Sequence, residues 1–418
     1  MRSEYDVAII GGGPAGSCAA TLLARAGRCV AVFERDRFPR FHIGESLLPF
    51  SMRTFERMGF DQKLEAAGFI RKFGGEIVSG CGSRENPFYF EDGYKAQREY
   101  CFQVLREKFD HLLLQHAAEQ GADVFEETTV NGVNFDAEGA DLQVGGQKVR
   151  AQYVIDASGR HSVVGKALGL KCQYPDLRKH AVFTHYRGAK RAEGKRGTLT
   201  RMVRAKDRWF WMIPLADDEM SVGVVCDTDV FRAAGQSPED FLLSSIVEQP
   251  MVSERLDNAE RVRPIRMAAD FSYRSSQMAG ERWMLAGDAA GFIDPVFSSG
   301  VFLALLSGES AADTIEAALK KPSTARRGFA RYSRRLNSVM DVYLRFVRSW
   351  YQQEFIEVFL NPKEMLQIAP AVNAVLGGNT GEDPGIRWRV ALFEFFVWIQ
   401  RYLPLSPRLT LEPGRSIG

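Results

Sequence analysis

None of the six cysteines pairs with another at CxxC spacing, and none is grouped with histidines at zinc-ligand intervals. Neither a disulfide framework nor a metal site is expected, and a reducing compartment, the cytoplasm, fits Cys18, Cys29, Cys81, Cys101, Cys172 and Cys226. Charge of one sign is also missing, because 54 basic residues against 52 acidic ones leave a net charge of +2. That balance gives no reason to expect a nucleic-acid partner. There is no long hydrophobic run either. The most apolar late stretch, Val390 to Ile399, is far shorter than the roughly 20 residues of a membrane span and is interrupted by Glu394. It reads as a buried or surface-seated helix, and no transmembrane span is expected. Repeats and low-complexity tracts are absent, and MRSEYDVAIIGGG runs straight into a strand pattern, so no signal peptide is expected.

The 418 residues suit more than one domain. YDVAII, from Tyr5, predicts a strand that breaks at GGGPAG; SCAATLLARAG continues as a helix and CVAVFE returns as a strand. Gly11, Gly13 and Gly16 fit GxGxxG, and Glu34 closes the second strand. In such a unit the first glycine permits the tight turn, the second lets backbone approach a pyrophosphate, and the third lets the helix pack close. The helix N-terminus then faces the phosphates.

Further on, Phe109 to Val130 predicts a helix and a strand, DLQVGGQKV a hairpin at Gly145-Gly146, and YVIDASG another strand. AVFTHYRG, GTLTRMVRA, RWFWMIPL and MSVGVVC predict an inserted antiparallel sheet. In RWFWMIPL, Trp209, Trp211 and Ile213 share one face, Phe210 and Met212 the other, and Pro214 ends the strand. SPED opens a helix at Ser237, RWMLAGD predicts a strand ending at Asp288, and a helix follows from about Ser299 to Leu319. The rest is mostly helical, broken at Asn361-Pro362 and at Gly377 to Gly385. The expected fold is α/β, a Rossmann-type dinucleotide-binding domain (1–80, 101–175 and 280–323) with an inserted antiparallel-sheet substrate domain (81–100 and 176–279) and a helical C-terminal region (324–418).

GGGPAG, DASGR at Asp156 to Arg160 and AGDAAGFIDP at Ala286 to Pro295 together resemble the FAD-binding elements of the para-hydroxybenzoate hydroxylase superfold. The resemblance implies FAD as cofactor. Glu34 would take the adenosine ribose, Asp288 the ribityl or pyrophosphate region, and Arg106 the flavin, with Ala15 and Val130 completing the cofactor contacts.

Three further motifs narrow the family. RWFWMIP fits WxWxIP, RKFG supplies Lys72 in a Lys-x-Gly setting, and GFIDPVFSSG fits FxxPxxSxG at Phe292, Pro295, Ser298 and Gly300. Nearly the whole chain is thus similar to the flavin-dependent halogenases. That resemblance implies use of FAD as FADH2 from a separate flavin reductase, and a halide, chloride or bromide, oxidised to hypohalous acid at the flavin. Trp209 and Trp211 would wall the flavin off from the substrate. Lys72 would receive the hypohalous acid, as an ammonium that polarises it or as an amine that forms a chloramine. At the start of the helix, Ser298 would be a catalytic residue and Gly300 and Val301 would face the flavin, with Ser299 and Gly300 offering backbone N–H groups to a halide. Tryptophan halogenases carry a glutamate where this sequence has Phe297, so the resemblance points to the branch acting on small phenols or pyrroles, free or tethered to a carrier protein. In some members of that branch the aspartate of the DP pair is joined covalently to the flavin, a role open to Asp294. Rival readings are a monooxygenase or oxidase of the same superfold, a geranylgeranyl-reductase-like enzyme, against which WxWxIP and Lys72 stand, and a catalytically silent flavin-binding module.

Overall fold

The computed structural model describes residues 1–269, 272–362, 365–380 and 383–412. Strand Glu4–Ile10 lies parallel between Val30–Phe33 and Gln147–Asp156, and Trp283–Leu285 joins the far side of the last. Where these strands pair in parallel at the sheet centre, residues 7–10, Val30–Phe33 and residues 153–155 are apolar and buried, as central parallel strands covered on both faces must be. Helix Pro14–Arg25 and helix Ser299–Lys320 pack together through small residues; a Cβ on Gly308 would come within 2.4 Å of the Ala15 carbonyl oxygen.

One expected strand is in fact two. Asp123–Phe125 borders Val30–Phe33 at one edge of the sheet, and Val130–Phe135 pairs with Ala140–Val144 at the other. The chain turns between them because the Thr128 N–H donates to the Glu34 carbonyl (2.8 Å) and Glu127 adopts a φ of 53°. The hairpin at Gly145-Gly146 is present, both glycines having positive φ.

The second sheet contains Lys179–Arg187, Glu219–Asp227, Arg208–Pro214 and Thr200–Arg204 in antiparallel order. Gly74–Ser79 then adds in parallel, so the chain enters this sheet before residue 81, the expected start of the substrate domain. Its two faces have different fates. Ile77, Met202, Phe183, Trp209 and Trp211 join the core of the nucleotide domain. Val78, Val203, Phe210, Met212, Val222 and Val224 pack against Phe241, Leu242, Ile246 and Val252 of helices Pro238–Val247 and Pro250–Leu256. Each such buried side chain stabilises the fold by roughly 1.5–3 kcal/mol. At the first of these helices, Ser237 Oγ accepts from the Asp240 N–H and Pro238 takes the first turn, as its sequence predicts.

Helices Ala325–Trp350, Gln353–Phe359, Ile368–Leu376 and Pro384–Gln400 form the C-terminal region. Residues 381 and 382 of the break before the last helix lie outside the described residues. That helix buries Ile386, Val390, Phe393 and Val397 and leaves Trp388, Phe395 and Trp398 exposed. No helix among the described residues is long and apolar enough to cross a membrane.

Candidate active site

A cavity of about 630 Å³ runs from the first strand–helix turn to the indoles of the second sheet. That volume is within the usual range for a cofactor or small-molecule site. At one end, Gly11 has a φ of +102°, and a Cβ there would sit 2.4 Å from the Ala157 carbonyl oxygen. A Cβ on Gly16 would meet the Gly11 oxygen at 1.9 Å, so these two glycines are demanded by the turn itself. Gly13 is different: it lines the cavity, and a Cβ there would meet only an Arg40 nitrogen, at 3.6 Å. Glu34 is fixed at the same end, Oε2 accepting from the Gly12 N–H (2.7 Å) and Oε1 from that of Asp36 (2.9 Å). Ala15 and Val130 also line this cavity. The open glycine at a helix N-terminus, beside a fixed buried carboxylate, fits a dinucleotide. Gly13→Val is therefore expected to leave the fold intact while weakening FAD binding by about tenfold or more. Unchanged flavin occupancy in a titration followed by flavin fluorescence would overturn that role.

Arg106 heads helix Arg106–Glu119 and lines the cavity. Its guanidinium donates as a fork to Asp110 (2.7 and 2.9 Å) and to the Ile43 carbonyl (2.6 Å). Burial alone would raise the Asp110 carboxyl, but Arg106 and then Arg40 outweigh it and hold it below the ordinary carboxylate value. Asp288, also on the cavity, is pushed up to about 6 by burial, against the opposing pull of Arg106 and Arg160.

Trp209, Trp211 and Ile213 form the far wall. The two rings lie 6.0 Å apart at 50°. Trp211 Nε1 donates to Ser221 Oγ (3.1 Å), and its ring lies over Gly223 on the neighbouring strand, where a Cβ would come within 2.3 Å of it. Trp209 Nε1 donates to the Tyr351 hydroxyl (3.1 Å), which donates in turn to Asp294 Oδ2 (2.5 Å). The helical C-terminal region thus holds one indole of the wall.

Ser298, Gly300 and Val301 line the cavity, whereas Ser299 is buried without reaching it. Ser298 takes a φ of 56° and makes no side-chain cap, so the helix start is shaped by backbone rather than by a serine hydroxyl. Asp294 is not on the cavity: it is fully buried, its Oδ1 accepts from the Val296 N–H and its Oδ2 is occupied by Tyr351. A covalent flavin link through Asp294 does not fit this placement. Phe297 sits among Phe346, Trp350 and Phe355, an aromatic nest in which a glutamate would be unpaired.

Lys72 also stands off the cavity, behind the segment whose Glu45 and Ser46 line it. The side chain is 4% exposed and donates to the Leu47 carbonyl at 3.1 Å. Burial lowers its ammonium to about 8. The Cys101 thiol donates to the same carbonyl (3.0 Å) from the residue opposite in the strand pair.

Sequence reasoning passed over several of these groups. The stretch FPRFHIGES supplies Arg40, Phe41, His42, Ile43, Gly44, Glu45 and Ser46 to the cavity, with no spacing pattern to announce it. Gly223 did carry a signal, since glycine inside a strand marks a close approach. Tyr351 carried none.

The fold and this cavity define a FAD-dependent oxidoreductase. A model of the FAD binding domain family matches residues 4–337. The chain is 32% identical over 376 residues to the 1H-pyrrole-2-carbonyl-[peptidyl-carrier protein] chlorinase of Pseudomonas fluorescens, covering 84% of each. Among solved structures, a flavin-dependent brominase superposes with a TM-score of 0.83 at 29% identity, covering 94% of this chain and 99% of that one. A flavoprotein/dehydrogenase from Cytophaga hutchinsonii superposes at 0.87 with 28% identity, covering 95% and 99%. The chain belongs to the FAD-binding domain family and, within it, to the flavin-dependent halogenases.

Proposed function

We propose that this enzyme halogenates an electron-rich pyrrole or phenol, presented on a carrier protein, through a halogen carried by Lys72. Reduced FAD and O2 supply the oxidant that turns halide into hypohalous acid. The observation that carries the reading is the pair of indoles on the cavity wall, with a buried lysine of lowered pKa one strand pair away from the cavity. Trp209 and Trp211 exclude the substrate from the flavin side and so suppress direct oxygen transfer. The neutral Lys72 amine attacks hypohalous acid: an N–X bond forms, the X–O bond breaks, and the hydroxide leaves as water with the amine proton. The ring carbon then takes the halogen from nitrogen, and the ring loses its proton. The similarity to a chlorinase whose substrate is a carrier-bound pyrrole supports the tethered substrate.

The test combines the purified chain with a separate flavin reductase, NADH, FAD, O2 and chloride or bromide. Its substrates are a pyrrole-2-carbonyl carrier protein and a free phenol, with products read by mass spectrometry. Halogenated product on the carrier is expected; hydroxylated product would favour a monooxygenase instead. The chain has a single dinucleotide fingerprint, so the reductase is expected to be required. Rapid flavin reduction by NADH with the purified chain alone would overturn that dependence.

A further inference from the structure

Helix Pro384–Gln400 is apolar on two opposite sides, and only one of them is covered. Ile386, Val390, Phe393 and Val397 are buried, Phe393 against Phe346 and Phe355 of the neighbouring helices. On the other side Trp388, Phe395, Trp398 and Tyr402 are 45–69% exposed. Their spacings of seven, three and four residues set them in one stripe along the helix. Phe395 lies 6.0 Å from Trp398 at 25°, and Trp398 5.4 Å from Tyr402, so three rings run together over the surface. Leu403 extends the stripe at one end. At the other, exposed Leu366 sits beside Trp388, its carbonyl accepting from Arg389 Nε at 2.7 Å. A helix apolar all round belongs in an interior.

The stripe is not a frayed end. Asp383 Oδ1 accepts from the Gly385 N–H (2.7 Å) at the start of the helix. At its close, Gln400 Nε2 donates to the buried carboxylate of Glu357 (2.8 Å) and to the Ser406 carbonyl (2.8 Å). The rings are therefore held in place before anything covers them, and covering them costs little ordering entropy.

Area and charge both point to the occupant. At roughly 150–250 Å² for a whole aromatic side chain and somewhat less for a leucine, the exposed part of these six side chains amounts to about 600–700 Å². The largest apolar patch of a typical monomer is about 300–600 Å², whereas a stable interface buries about 800 Å² on each partner. A polar rim supplies the remainder. Charges beside the stripe are of both signs: Arg401 pairs with Glu354 (3.3 Å), Glu394 with Arg345 (3.5 Å), and Asp383 with Lys95 (2.7 Å). An anionic membrane would require a basic flank, whereas a mixed rim meets its own copy without net repulsion. The stripe is also self-complementary. Trp388 and Tyr402 stand seven residues either side of Phe395, so an antiparallel two-fold through Phe395 lays the Trp388 end of one chain on the Tyr402 end of the other. We infer that this stripe is the two-fold interface of a homodimer. None of its side chains lines the flavin cavity, so interface and reaction are separable by mutation.

The test is sedimentation velocity of the FAD-loaded chain from about 1 to about 100 µM, in the parent and in Phe395→Glu and Trp398→Glu. The parent is expected at twice the 46.8 kDa chain mass. Each glutamate variant should keep its flavin and dissociate at least about a hundredfold more readily, because a carboxylate would be buried against the partner's rings. Phe395→Cys should give a disulfide-linked dimer under mild oxidation that the parent does not, since residue 395 meets its own copy at the axis. That arm stands even if the glutamate variants fold poorly. A monomeric parent at the highest concentration would overturn the interface, and sedimentation of that monomer with phosphatidylglycerol vesicles would assign the stripe to a membrane instead. A dimer that persists at parent strength in both glutamate variants would place the contact elsewhere. Failure of a dimeric Phe395→Cys chain to cross-link would overturn the two-fold through Phe395.

Discussion

Replacing Lys72 with alanine is expected to abolish halogenated product, by at least about a thousandfold, the scale on which loss of a covalent nucleophile is felt. Flavin occupancy and reductase-driven oxygen uptake should stay near the parent level, because Lys72 does not line the flavin cavity. Its ammonium is set by burial, which brings it to about 8 with no carboxylate to oppose the shift. The neutral amine is then an appreciable fraction near neutral pH. Product formation should climb about tenfold per pH unit below 8 and level off above it, while oxygen uptake varies less. A flat product profile from about pH 6 to about pH 9 would remove the amine from the chemistry.

The same shift has a consequence for stability. A folded-state pKa of about 8 against an ordinary 10.5 means that the unfolded chain binds more protons between those values, so stability rises with pH across that window. Below pH 8 the full penalty is present, on the order of 3 kcal/mol. Lys72→Met should therefore melt at a higher temperature than the parent at neutral pH, with the gap narrowing above pH 8. A lower melting temperature would mean that the lysine stabilises its strand pair.

What could be read before folding was what local periodicity encodes. GxGxxG with its flanking strands and Glu34 needs only chain-local geometry, and Gly11, Gly16 and Glu34 stand where that geometry requires. The two tryptophans were placed on one face by strand alternation, and they share one face in the structure. Asp294 stands off the cavity in a contact that no motif encodes. The Tyr351 hydroxyl, just past the helix Ala325–Trp350 of the C-terminal region, occupies the Asp294 carboxylate. Likewise the loop carrying Arg40, His42 and Glu45 owes its place to tertiary pairing, such as the Arg40 contact with Asp110 (3.1 Å), between residues far apart in sequence.

Removing either indole of the wall should change the product of the reaction and not only its rate. Trp211→Ala opens the cavity wall where the indole is held by Ser221 Oγ, the Phe183 ring and the flat seat that Gly223 provides. Trp209→Ala also cuts the link to Tyr351 and the edge contact with Trp350 at 6.0 Å, so it should destabilise more. Each truncation is expected to cost about 3–5 kcal/mol, so assays belong well below the melting temperature. Both variants should retain FAD, halogenate poorly, release hydrogen peroxide or hypohalous acid into solution, and yield traces of hydroxylated product once the substrate can reach the flavin side. Gly223→Ala gives the same test without deleting a ring: its methyl group would overlap the Trp211 indole and force it to move, so halogenation should fall although both tryptophans are present. If all three variants keep their flavin and halogenate at the parent rate, the indoles are packing alone, and whatever separates flavin from substrate lies elsewhere in the cavity.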